Sequence, residues 1–254
     1  MTHAAGATAD AAYVEGSVFR HVVALTALGS LGLMAIFTVD LINLLYISLL
    51  GDEVLTAAMG YAGVVLFLLV SVGIGFSIGV TALTARRIGA GDRSGARRVA
   101  TSGLIISFAA TSAVTLAIAA VLDPCLVLLG ATGREFEVTR HFLWITMLGM
   151  PPLALSMAMG GILMAFVAPR MTLWINLAGA VATAILDPIF IFALDLGVTG
   201  AAIVTVLIRF VAIAVGWYGL VPRLNALARP TASNVRRDVA PLLVIAFPAI
   251  LTNL

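Results

Sequence analysis

The stretch VLTAAMGYAGVVLFLLVSVGIGFSIGVTALTA, residues 54–85, contains no Asp, Glu, Lys, Arg or His. A bilayer core needs about 20 apolar residues in a spanning helix, and this run exceeds that without a break. It lacks the in–out alternation of a barrel strand, so it reads as a transmembrane helix. Five further stretches meet the same length: 22–50, 99–122, 138–167, 171–194 and 198–220. A seventh begins near Val239 and runs to Leu254. The expected fold is an all-α membrane protein, a six-helix bundle followed by the start of a seventh helix.

The whole-chain composition agrees. The 254 residues are 62% hydrophobic and 10% charged, with a mean hydropathy of +1.15. A soluble domain carries roughly 25% charged residues. A soluble enzyme, a nucleic-acid module and a disordered regulator are excluded on that ground. One cysteine, Cys125, allows no intramolecular disulfide and no thiolate zinc cluster. His3, His21 and His141 lack metal-ligand spacing. No set of residues suggests catalysis, so neither an enzyme nor a cofactor is expected.

All 14 basic residues are arginine. Arg20, Arg86, Arg87, Arg93, Arg97, Arg98, Arg170, Arg223, Arg229, Arg236 and Arg237 fall on one side of the predicted spans. Arg134 and Arg140 fall on the other, with Asp52, Glu53, Glu135, Glu137 and Asp195. Arginines gather on the cytoplasmic side. The expected topology is a multi-pass plasma (inner) membrane protein with a cytoplasmic N-terminus and no cleaved signal. Residues 1–21 read as a cytoplasmic tail, 22–220 as a six-helix lobe, 221–238 as an inter-lobe linker and 239–254 as the start of helix 7. Leu254 would end the chain partway across the bilayer, so a missing C-terminal lobe is expected.

Ionisable groups inside a membrane are costly, so each is a candidate for function. They are Asp40 in the first span, Asp187 in the fifth and Arg209 in the sixth. At about 1.5 Å per residue, Asn43, Asp187 and Thr205 lie about 10 Å below the outer surface, and Asp40 and Arg209 about 15 Å below it. A carboxylate alternating between protonated and ionised forms, completed by amide and hydroxyl groups, would make a cation site. Thr183 and Asn176 lie near the Asp187 face of the helix. Pro188 should kink the span and free the Ala184 carbonyl. The competing reading is a static Asp–Arg pair that ties helices together. Pro151 with Pro152, and Pro248, should kink their spans. The run Gly73-Ile-Gly-Phe-Ser-Ile-Gly79 reads as a close-packing surface. Asp123 reads as a helix cap, and Asp92 as solvated or paired in the arginine-rich loop.

Three segments resemble the multidrug and toxic compound extrusion (MATE) family. GFSIGVTALTARRIGAGDRSGARRVA (residues 75–100) is similar to the end of that family's helix 2 and the loop after it. AILDPIFIFALDLGVTGAAIVTV (residues 184–206) resembles its helix 5–6 hairpin, and ISLLGDEVLTAA (residues 47–58) its helix 1–2 turn. The resemblance implies twelve helices in two lobes, exporting cationic or amphipathic compounds in exchange for H+ or Na+. It matches the family's helix 5 acid to Asp187 and its helix 6 threonine to Thr205. The usual asparagine is Thr183 here. The usual helix 1 acid is Asn43, with Asp40 one turn earlier. Arg209 falls outside the family pattern. The candidate coupling and substrate set, from the residues and the resemblance together, is Asp40, Asn43, Asp187, Thr205, Thr183, Asn176 and Arg209, with Na+ as a candidate ion at Asp187 and Asp40. Implied partners are a small-molecule substrate, membrane lipid and the missing C-terminal lobe, and no nucleic acid. The alternatives are a lipid-linked or polysaccharide flippase of the same fold group, or a non-transporting half-length membrane protein.

Overall fold

The computed structural model describes residues 53–166 and 169–253, together with Val23, Ser30, Met34, Leu41, Leu45 and Tyr46. Asp40 and Asn43 lie outside the described residues. The predicted span 54–85 is helix α1 (Glu53–Gly89). It is followed by α2 (Arg93–Ala120), α3 (Leu122–Leu128), α4 (Gly133–Leu148), α5 (Met150–Ala165) and α6 (Pro169–Pro188). A π-helical turn, Ile189–Ala193, then leads to α7 (Gly197–Tyr218), a second π turn (Gly219–Arg223) and α8 (Ala232–Leu251). Among the described residues four helices are long and apolar enough to cross a membrane, and α4 and α5, bent by 45° at their break, meet that length and composition only as a pair.

The predicted kink in the fourth span is a break at Gly149. Pro151 and Pro152 sit in the first turn of α5, where no backbone N–H has an intrahelical partner to lose. The predicted kink at Pro188 takes another form. Proline supplies no N–H to the Ala184 carbonyl, and the chain widens just after it into a π turn closed by Leu194 N donating to Ile189 O at 2.9 Å. Helix α8 runs through Pro241 and Pro248 as one element.

Two helix starts and one cap differ from the sequence reading. The third span starts at Arg93 rather than residue 99, because Asp92 caps it: its Oδ1 accepts from Gly95 N at 2.8 Å. Asp123 caps nothing and pairs instead with Arg140 Nε at 2.8 Å. The last helix starts at Ala232, inside the stretch read as a linker, which turns Asp238 into a buried helical residue.

In a bilayer, apolar side chains gain little by leaving lipid for protein, so close backbone approach and polar cross-links hold the helices together. The glycine run supplies that approach in two directions. A Cβ at Gly73 would meet Met157 Sδ at 3.3 Å on α5, and one at Gly75 would meet Ile250 and, at 2.8 Å, the Ala246 carbonyl on α8. Ser77 Oγ donates to Met157 O at 2.9 Å, and Thr139 Oγ1 to Ala58 O at 3.2 Å. One buried cluster, with Phe76, Val80, Leu104, Ile162 and Leu242, fills the arginine-rich end. A second, with Leu69, Leu122, Leu126 and Leu143, fills the other. Phe67, Leu116 and Trp217 point outward, as side chains bathed in lipid do.

At the arginine-rich end, residues 225–228 form a strap across α2. Arg97 donates through Nε and Nη2 to Leu227 O at 3.0 and 2.8 Å, and through Nη2 to Asn225 Oδ1 at 2.7 Å. Ala228 N donates to Thr101 Oγ1 at 2.9 Å. Asn225 adopts a positive φ of 45°, a conformation asparagine tolerates. Beside the strap, Arg98 Nη2 lies 3.3 Å from Asp238 Oδ1, joining α2 to α8.

Candidate functional site

Helices α6 and α7 form an antiparallel hairpin, joined through a tight turn in which Asp195 and Gly197 both take positive φ (53° and 51°). Two close approaches fix its register. A Cβ at Gly200 would lie 2.5 Å from the Phe190 carbonyl, and one at Gly179 would lie 3.4 Å from Ile208 Cγ2. Thr183, one turn beyond Gly179, therefore stands at about the level of Thr205. Asp187 lies one turn further toward the hairpin tip.

Asp187 is completely buried, at 0% exposure. Neither of its carboxylate oxygens has a hydrogen-bond partner among the described residues. Burying a polar group without a partner costs on the order of 1–3 kcal/mol, and an ionised one costs more. A carboxyl left in that state calls for a proton or a metal cation. The nearby hydroxyls suit the same role. Thr183 Oγ1 donates to Gly179 O and Thr205 Oγ1 to Ala201 O, each at 2.9 Å. With their protons committed to their own helices, both present lone pairs.

Arg209 is placed elsewhere. Asp187 is eight residues, about 12 Å, along α6 from Gly179, whereas Arg209 neighbours Ile208 at the Gly179 level. No ion pair joins them among the described residues. The guanidinium instead lies at the α4–α5 break, with Nη1 3.5 Å from Thr146 O. A Cβ at Gly149 would meet Nη1 at 2.9 Å. Asn176 shares the helix with Asp187 but sits eleven residues away, about 16 Å along the axis. It cannot join the same ligand shell.

Sequence reasoning missed Thr146 and Gly149 as the surroundings of Arg209. The signal was the Gly-Met-Pro-Pro run at 149–152, which marks a helix end whose carbonyls need other partners. It also missed Tyr46, whose ring meets Phe192 of the π turn edge-on at 5.9 Å. A depression of about 440 Å³ lined by Leu55, Glu137, His141, Phe142, Val198 and Thr199 contains none of the predicted site residues.

The family model described as MatE matches residues 26–189. This chain belongs to the MatE family. MatE relatives include a protein called "FAD transporter" from Shewanella oneidensis, 29% identical over 230 residues, which are 88% of this chain and 51% of that protein. A second, "Multidrug export protein MepA" from Staphylococcus aureus, is 28% identical over 76% of this chain and 43% of its own length. The chain thus spans about half the length of these relatives. A solved MOP superfamily transporter from Pyrococcus furiosus shares the fold: TM-score 0.88, 24% identity, over 98% of this chain and 56% of that one. Together these findings make the chain a multi-pass membrane protein of a transporter family rather than an enzyme.

Proposed function

We propose that this chain is the N-terminal lobe, residues 22–220, of a secondary active exporter, and that Asp187 carries its coupling cation, H+ or Na+. The observation that carries this reading is the Asp187 carboxyl, fully buried in a membrane helix with both oxygens unpartnered among the described residues. Thr183 and Thr205 complete the site with lone pairs. Asp40 and Asn43, from the first span, are the remaining proposed ligands. The arginine-rich end is cytoplasmic, and the inner (plasma) membrane is the site of action.

Export is by alternating access: the segment before α8, within the stretch 221–238 read as a linker, leads from this lobe to a second one, and the two rock about the site. The cargo is an amphipathic small molecule. The relatives named for multidrug export and for FAD support small organic cargo. In inverted vesicles from cells expressing the intact protein, Asp187→Asn should abolish gradient-driven ethidium accumulation while leaving the protein folded and inserted. Full retention of accumulation by both Asp187→Asn and Asp40→Asn would remove the coupling role assigned to these carboxylates.

A further inference from the structure

Arg209 is a permanent cation inside a span, and the cation site does not use it. On α7 it falls on the stripe of Ala201, Ala202, Ala212 and Gly216, all buried against protein. Leu207 and Phe210 beside it point outward. The guanidinium therefore faces the protein interior rather than lipid.

Its surroundings are under-matched to its charge. A guanidinium carries five N–H donors. Among the described residues Arg209 has a single acceptor, Thr146 O, at the long distance of 3.5 Å. Among those residues no carboxylate pairs with it, and Nε and Nη2 make no hydrogen bond. The side chain packs directly on a buried glycine: a Cβ on Gly149 would crowd both Nη1 and Cδ, at 2.9 and 3.1 Å. The chain thus holds a cation at a helix break, against a buried glycine, with most of its donors unmatched among the described residues. A planar fork of N–H groups matches the paired oxygens of a carboxylate or phosphate.

We propose that Arg209 binds an anionic group of the transported molecule, a carboxylate or phosphate, about two turns from Asp187. This rests on the transport reading above and adds to its cargo range amphipathic molecules bearing such a group, beside permanent cations. Cation coupling at Asp187 and anion capture at Arg209 are then separate tasks on one hairpin, set apart by the α6–α7 register.

The test uses the intact protein in phosphatidylcholine liposomes with two probes: fluorescein, an amphipathic carboxylate, and ethidium, a permanent cation. Binding of each is titrated for wild type, Arg209→Met and Arg209→Lys. A charged hydrogen bond is worth about 1.5–3 kcal/mol, so Arg209→Met should weaken fluorescein about 10- to 100-fold and leave ethidium unchanged. Arg209→Lys should fall between the two. The proposal is overturned if wild type does not bind fluorescein, if Arg209→Met binds it equally well, or if both probes weaken together. Repeating the titration with phosphatidylglycerol present separates cargo from lipid. Loss of wild-type fluorescein binding there, with Arg209→Met indifferent, would identify a lipid headgroup as the occupant and also overturn the proposal. Gradient-driven ethidium movement in the same liposomes reports on the exporter reading itself, independently of fluorescein.

Discussion

Asp187 and Gly75 show how differently single residues can be read. An acid in an apolar run announces itself, because hydrocarbon penalises charge. Its isolation from Arg209 was not legible, since two residues near one depth separate only once the hairpin register is known. Depth along each helix placed them about 5 Å apart; the Gly179–Ile208 and Gly200–Phe190 contacts set them roughly twice as far. The glycine run was legible as packing but not its partners, which depend on where α8 docks. Gly75→Ala should destabilise the protein by about 1–3 kcal/mol, because the Ala246 carbonyl 2.8 Å from the new Cβ is backbone and cannot swing aside. Gly60→Ala, with open space at its Cβ, should be neutral or stabilising by up to about 1 kcal/mol. Thermal unfolding of the two purified variants tests the contrast.

At the scale of elements, the ends of helices were harder to read than their middles. Hydropathy marks where a span crosses the bilayer but is silent on the polar turns that extend it, so α2 and α8 both start ahead of their apolar runs. In α2 the start is set by Asp92. Its carboxyl is held below the ordinary carboxylate range, chiefly by the Gly95 N–H and then by the Ser94 hydroxyl. A depressed value means the cap contributes fully above the ordinary carboxylate range and is lost as pH falls through the folded-state value. The protection factor of the Gly95 amide, its exchange corrected for the intrinsic pH dependence, should therefore fall at acid pH in wild type. In Asp92→Asn, which still caps but cannot titrate, exchange should lack that added acid-side opening. The Arg98–Asp238 pair offers a second test. Its side chains are 18% and 8% exposed, so removing one partner strands the other in a poor solvent. Arg98→Met should cost about 3 kcal/mol, and Arg98→Met with Asp238→Leu should cost less than the single change. A double-mutant cycle on chemical denaturation measures this.

For the molecule as a whole, the lopsided arginines predict an orientation that labelling can check. In a Cys125→Ala background, Glu137→Cys should react with a membrane-impermeant maleimide added to intact cells, and Arg87→Cys should react only after the membrane is opened. The reverse pattern would invert the topology and place the hairpin tip near Asp195 on the cytoplasmic side. The all-helical membrane fold followed from length and hydropathy alone, because lipid demands long apolar helices whatever the sequence does elsewhere. How they lean on one another did not, since that depends on which small residues meet.

The strap at 225–228 sets a distance. With Ala228 fastened to Thr101, only residues 229–231 separate it from the first turn of α8. Four peptide steps reach at most about 14 Å when fully extended. While Arg97 and Thr101 keep their grip, α8 is on a leash of that length. Any larger excursion of the polypeptide beyond the strap requires those hydrogen bonds to let go first.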